Sequence, residues 1–168
     1  FSSTSKITYA GAGISIFSSS IKNIDHTAKL ISKQTIGTNK INQLLHVRFL
    51  KSVEGILEHM EKHAEILKPK FDMVLNILDR ELSDKGIATW SKPHGGYFIS
   101  LNIMKNSAKR VVKLAKKLGV TLTDAGATYP YGNDPEDNNI RIAPSYPPLY
   151  DLEKAIEVVC TCIEKVSL

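Results

Sequence analysis

Lys6 follows Ser3-Thr4-Ser5 and precedes the small residues Ala10-Gly11-Ala12-Gly13. A lysine amine held away from water gives up its proton more readily and can form a Schiff base with a carbonyl. Neighbouring hydroxyls and backbone amides would suit a phosphate group. Taken alone, the segment is weak: a solvent-facing lysine beside a serine-rich turn is the commoner outcome for such a sequence. The Gly-x-Gly at 11–13 is no dinucleotide fingerprint, because the third glycine and the following helical pattern are missing.

Arg141 is the second candidate. It lies in Asn139-Ile140-Arg141-Ile142-Ala143, where Ile140 and Ile142 point to one face of a strand and Arg141 to the other. A guanidinium on a rigid strand suits two-pronged capture of a carboxylate, although a surface ion pair is the more frequent fate of a strand arginine. Other candidates are weaker. His59 and His63 are four apart on a helix, but His-Met-Glu-Lys-His lacks the glutamate directly after the first histidine, so no metal is expected. Cys160 and Cys162 are two apart on a helix and do not share a face, which reads as buried or half-buried thiols. Gly95-Gly96 permits a tight entry into the strand that follows.

The elements that must position these residues follow from periodicity. Residues 1–20 read as strand ends and tight turns, 24–34 as a short helix broken at Thr35 to Asn39, and Lys40 to Leu50 as a second helix. From Val53 to Leu82 apolar residues recur in steps of three and four, predicting a long helix over 52–85 with a kink or break at Pro69 and a stop at Gly86. Tyr97, Ile99, Leu101 and Ile103 alternate with polar residues as a half-buried strand does. Ala108 to Leu118 forms a helix stopped by Gly119, Val120 to Thr123 a short strand, Tyr129 to Asn139 a polar loop, and Leu152 to Val166 marks a last helix. The fold class is α/β (α+β): a remnant of a larger domain over 1–51, a long interdomain helix over 52–85, and a small C-terminal α/β domain over 86–168 with helices on one face of a sheet.

Composition bounds the function. The chain has 168 residues, 42% of them hydrophobic and 23% charged, too apolar for intrinsic disorder, and has no uncharged apolar run long enough to span a membrane. The net charge of +5 sits wholly in residues 1–50, where six basic side chains face Asp25 alone. Such a balance raises nucleic acid as a partner, but there is neither a paired aromatic strand motif nor a one-faced Lys/Arg cluster, so none is expected. The first residue is Phe1, and no secretory signal pattern follows it, so a cytoplasmic fragment of a longer chain is the expectation.

Together, Ser3-Thr4-Ser5-Lys6 with Ile7 to Gly13, Pro93-His94-Gly95-Gly96-Tyr97-Phe98, and Asn139 to Pro144 resemble the C-terminal portion of fold-type I, pyridoxal-phosphate-dependent aminotransferases. The resemblance spans essentially the whole chain. Phe1 to Ala12, Thr35-Ile36-Gly37, Asn42-Gln43-Leu44 and His46 to Leu50 look closest to the bacterial aminotransferases related to MocR-type proteins, whose best-understood activity is aspartate transamination. The resemblance implies pyridoxal 5'-phosphate as cofactor, with Lys6 its Schiff-base lysine and proton carrier. It implies Ser3, and more weakly Ser5, at the phosphate, and Arg141 at the substrate α-carboxylate. Where many relatives carry a phosphate-binding arginine, eight residues after the lysine, this chain has Ile14. Residues 35–43 correspond to a region that reaches the neighbouring subunit's site in family dimers, which makes Lys40 a weak candidate for a side-chain carboxylate there.

The resulting expectation is an aminotransferase moving an amino group between an amino acid, aspartate first, and a 2-oxo acid, in a homodimeric parent. The alternative is the ligand-sensing, aminotransferase-like domain of a MocR-type transcription regulator. Residues that hold the cofactor ring lie upstream of residue 1 in the family, so residues 1–168 alone are expected to be inactive.

Overall fold

The computed structural model describes residues 1–168. They form two compact units, Phe1–Glu65 and Ile66–Leu168. The division falls inside a single helix, so each unit is taken by itself.

In the first unit, strands β1 (Ser2–Ser3) and β2 (Ser15–Ile16) pair antiparallel, Ser3 opposite Ser15. Helix α1 (Ile21–Gln34) begins three residues before the sequence pattern suggests, because the Ser20 hydroxyl accepts the Asn23 N–H at 3.4 Å and caps it there. Helix α2 (Lys40–Leu50) is capped in the same way by Asn39, whose Oδ1 accepts the Asn42 N–H at 3.0 Å. α1 buries no residue, and α2 buries only His46 and Leu50. Ile36, Ile41, Val47 and Val53 stand exposed.

Helix α3 (Val53–Leu82) carries the long apolar stripe and passes Pro69 without the expected break. Proline removes one N–H and crowds the carbonyl of Glu65; both residues are on the exposed side, where water can satisfy that carbonyl. The helix ends at Leu82, a 3-10 turn covers Ser83–Lys85, and Gly86 closes it with φ +65°. The turn into α3 is tight: a Cβ at Gly55 would lie within 2.0 Å of the Leu50 carbonyl oxygen.

The second unit contains an antiparallel sheet ordered β3 (Ala88–Trp90), β4 (Ile99–Ile103), β5 (Asn139–Ile142). Register pairs Ile99 with Ile142 and Leu101 with Ile140, so these side chains share one buried face. Helices α4 (Ala108–Lys117) and α5 (Leu149–Ser167) pack together and join that face with Val74, Leu78 and Leu82 of α3 in one core. Ser100 and Arg141 pair across the opposite face. The strand expected at Val120 to Thr123 does not form. The Val120 N–H closes the end of α4 on the Ala115 carbonyl at 2.9 Å, and Leu122 packs against the core without a ladder partner. Cys160 and Cys162 are buried free thiols on α5.

Candidate functional site

In the first unit the chain leaves β1 and turns at once. Thr4 fixes the turn: its carbonyl accepts the N–H groups of Ile7 and Thr8, each at 3.0 Å, and the Thr8 hydroxyl at 2.9 Å. Lys6 stands exposed at the middle of this turn, so the amine is presented rather than enclosed by these residues. The Ser3 and Ser5 hydroxyls converge to 2.8 Å, and the Ser5 N–H donates to Ser3 Oγ at 3.1 Å. Ser3, Ser5 and Lys6 are therefore brought together.

The return strand is stitched to the turn. Thr4 N–H donates to the Ile14 carbonyl at 2.9 Å, and Ile14 N–H to Thr4 Oγ1 at 2.8 Å. Ile14 thus uses both backbone groups to close the loop that carries Lys6. Gly13 fits directly against Ser5, where a Cβ would come within 2.7 Å of the serine Cβ. Helix α2 grips the same loop: Asn42 Nδ2 donates to the Ala12 carbonyl at 2.6 Å, and the His46 ring meets Thr8 Oγ1 at 2.8 Å and Thr4 Oγ1 at 3.2 Å. His59 Nε2 donates to the Ile7 carbonyl, the peptide next to Lys6, and His63 Nε2 lies 3.2 Å from His59 Nε2. Lys40 stands exposed at the first position of α2.

In the second unit Arg141 is half-buried on the polar face of β5. Its Cζ lies over the Phe98 ring, 4.4 Å from the centroid, and its Nη2 is 3.5 Å from Thr123 Oγ1. Its Nε is buried without a hydrogen-bond partner, and none of the ion pairs in the chain involves it. A guanidinium with five donors and so few of them used is chemically ready for a carboxylate.

The donor set of the first unit suits an aldehyde-bearing phosphate. A primary amine can condense with the carbonyl, and two adjacent hydroxyls can donate to phosphate oxygens. No guanidinium accompanies them at position 14, where an isoleucine side chain stands.

Sequence reasoning singled out Lys6, Ser3, Ser5 and Arg141 but missed the supports. Thr4 and Thr8 flank Lys6 symmetrically, a local signal that was available. Phe98 is two residues before Ser100 and so shares the face of Arg141, also readable from alternation. Nothing local links His46 to residues about forty positions earlier.

The chain is similar to known proteins over its whole length. The family described as "Aspartate amino-transferase" matches residues 1–168. An aspartate aminotransferase of Corynebacterium glutamicum is 49% identical over 163 residues, covering 97% of this chain and 38% of the relative. The solved structure of an aspartate transaminase from the same species superposes with a TM-score of 0.91 at 49% identity, over 95% of this chain and 38% of that one. LysN, an α-aminoadipate aminotransferase of Thermus thermophilus solved with N-(5'-phosphopyridoxyl)-L-leucine, shares the fold at 19% identity and a TM-score of 0.76, over 98% of this chain and 41% of that one. HTH-type regulators match more weakly; NorG of Staphylococcus aureus is 27% identical over 167 residues, 98% of this chain and 36% of its own. The chain spans about two-fifths of the length of the relatives it matches. With the family match running from Phe1 to Leu168 and a relative at 49% identity over nearly all of it, this chain belongs to the aspartate aminotransferase family.

Proposed function

We propose that these residues are the C-terminal part of a pyridoxal-phosphate-dependent aminotransferase, one that transfers an amino group from a small amino acid, aspartate first, to a 2-oxo acid. The observation that carries the reading is the Thr4–Thr8 turn, which presents Lys6 beside the converging hydroxyls of Ser3 and Ser5. The 49% identity to an aspartate aminotransferase favours this over the regulator reading, whose relatives stand at 27–31%.

Ser3 and Ser5 would hold the cofactor phosphate by hydroxyl donation, and Lys6 Nζ would hold the cofactor at its carbonyl carbon. Bound there, the cofactor supplies an electron-withdrawing ring that accepts the electron pair left when the substrate α-carbon loses its proton. Lys6 Nζ would also accept that proton and move it. Arg141 would bind the substrate α-carboxylate in two-pronged fashion, its guanidinium held over the Phe98 ring. Holding the carboxylate fixes the rotation about the α-carbon and so selects which bond is broken.

The parent would be a homodimer in the cytoplasm. The apolar side chains exposed along α1 and α2 support a further covering surface, and two unpaired buried cysteines suit a reducing compartment. No helix is long and apolar enough to cross a membrane. An amino-donor screen on the full-length protein tests the reading. Transamination of aspartate is expected, lost in Lys6→Ala, and full activity in that variant overturns the assignment.

A further inference from the structure

We propose that His46 is a positioning residue for Lys6: it holds both ends of the lysine turn at one ring nitrogen and so sets the direction in which the amine projects. The inference rests on the reading of Lys6 given above.

The geometry is unusual for a buried histidine. His46 is 3% exposed, the one polar residue that α2 buries. Its Nδ1 lies 2.8 Å from the Asn42 carbonyl, an acceptor, so Nδ1 carries the hydrogen and donates. That bond, one turn back along the same helix, fixes the ring plane. The opposite nitrogen, Nε2, then meets two hydroxyls at once, Thr8 Oγ1 at 2.8 Å and Thr4 Oγ1 at 3.2 Å. Tyr9 covers the ring edge-on, with centroids 6.0 Å apart.

Thr4 and Thr8 are two residues before and two after Lys6. Their hydroxyls are the turn's own closing groups: Thr4 Oγ1 takes the Ile14 N–H and keeps its own hydrogen for Nε2, an acceptor in this tautomer, while Thr8 Oγ1 shares its one hydrogen between Nε2 and the Thr4 carbonyl. A single imidazole nitrogen therefore ties the two ends of the turn to each other and to a capped helix. An apolar side chain would leave the hydroxyls without this common partner. A buried polar group is retained at a cost of desolvation, and here what it secures is the shape of the turn that carries Lys6. Small errors in such orientation are expensive: a misplacement of about 1 Å in a reacting group can cost about 100-fold in rate.

The test uses the full-length, cofactor-loaded protein with His46→Leu, His46→Gln and His46→Asn. Glutamine places a polar atom near the position of Nε2, asparagine near Nδ1. Three quantities are read: the visible circular dichroism of the Lys6-linked chromophore per bound cofactor, kcat, and KM. For His46→Leu the ellipticity should fall at least about twofold and kcat about 10- to 100-fold, with KM moving less than about threefold. His46→Gln should stay within about threefold of the wild type in each, and His46→Asn should behave as His46→Leu. Unchanged ellipticity and kcat in His46→Leu, or equal defects in the Leu and Gln variants, would overturn the proposal. Should His46→Leu fail to fold, Thr8→Val decides: it removes one hydroxyl isosterically, and the same directional losses are expected, their absence counting against the proposal. Lys6→Ala separates the two levels. A chromophore that survives there sinks the reading of Lys6 itself, whereas its loss beside an unaffected His46→Leu sinks only the positioning role.

Discussion

The Phe98 ring, one residue before β4, lies under the guanidinium of Arg141 on β5, 4.4 Å from ring centroid to Cζ. The contact has two effects. It confines a long side chain that would otherwise lose considerable entropy on binding, and it spends none of the guanidinium's N–H donors. In the full-length protein, Arg141→Lys keeps the charge but loses the planar fork, so kcat/KM for a carboxylic substrate should fall at least about 100-fold. Phe98→Leu removes only the stacking, worth about 0.5–2 kcal/mol, and should raise KM by about 2- to 30-fold. Steady-state kinetics with both variants checks the order; a larger loss for Phe98→Leu than for Arg141→Lys would refute it.

Gly126 has φ +87°, and a Cβ there would meet the Gly132 carbonyl oxygen at 2.3 Å. Left-handed strain and a clash with backbone, which cannot swing aside, combine at one position. Gly126→Ala should destabilise the protein by about 2–4 kcal/mol. Gly119→Ala, with similar φ of +89° but open space around it, should cost less. Denaturant midpoints for the pair give the comparison.

Asp134 predicts a pH dependence. Burial alone would push its carboxyl upward, but the N–H groups of Asn139, Asn138, Glu136 and Asp137 outweigh this and hold it below the usual carboxylate value. A folded-state value lowered in this way contributes stability that is complete above the unfolded value of about 3.9. That contribution disappears as pH falls through the folded value. Asp134→Asn should therefore be less stable than the wild type near neutrality, with the gap narrowing in acid. Urea midpoints across the acidic range read the difference, and parallel curves would contradict it.

Burial pushes the Cys160 thiol up to about 12 and raises that of Cys162 as well. Neither forms thiolate near neutral pH, and both are buried. A maleimide should label neither in the native protein and both after unfolding, with mass spectrometry as the readout. Rapid native labelling of either would mean that α5 opens locally.

What could be read from sequence depended on how far apart the partners lie. The alternation of Ile99, Leu101 and Ile103 and the stripe on α5 are local patterns, and the folded chain buries those residues. Lys6 and Arg141 stand out as candidates because residue type and motif order carry chemistry directly. The break at Pro69 was misjudged because a proline penalty of one lost hydrogen bond is small against a 30-residue helix. Val120 to Thr123 has strand-like composition, yet its first N–H is taken by the end of α4. His46 could not be found at all, since its role depends on contacts spanning 38 and 42 residues of sequence.

Arg141 stands between Ile140 and Ile142, both buried, in a strand of four residues. Substitutions along β5 can be absorbed one at a time, but a change in length cannot. The gain or loss of a single codon there would turn the guanidinium into the apolar core and put an isoleucine in its place. Drift in chain length among descendants of this gene should thus fall outside β5, where no side of a sheet has to be kept in phase.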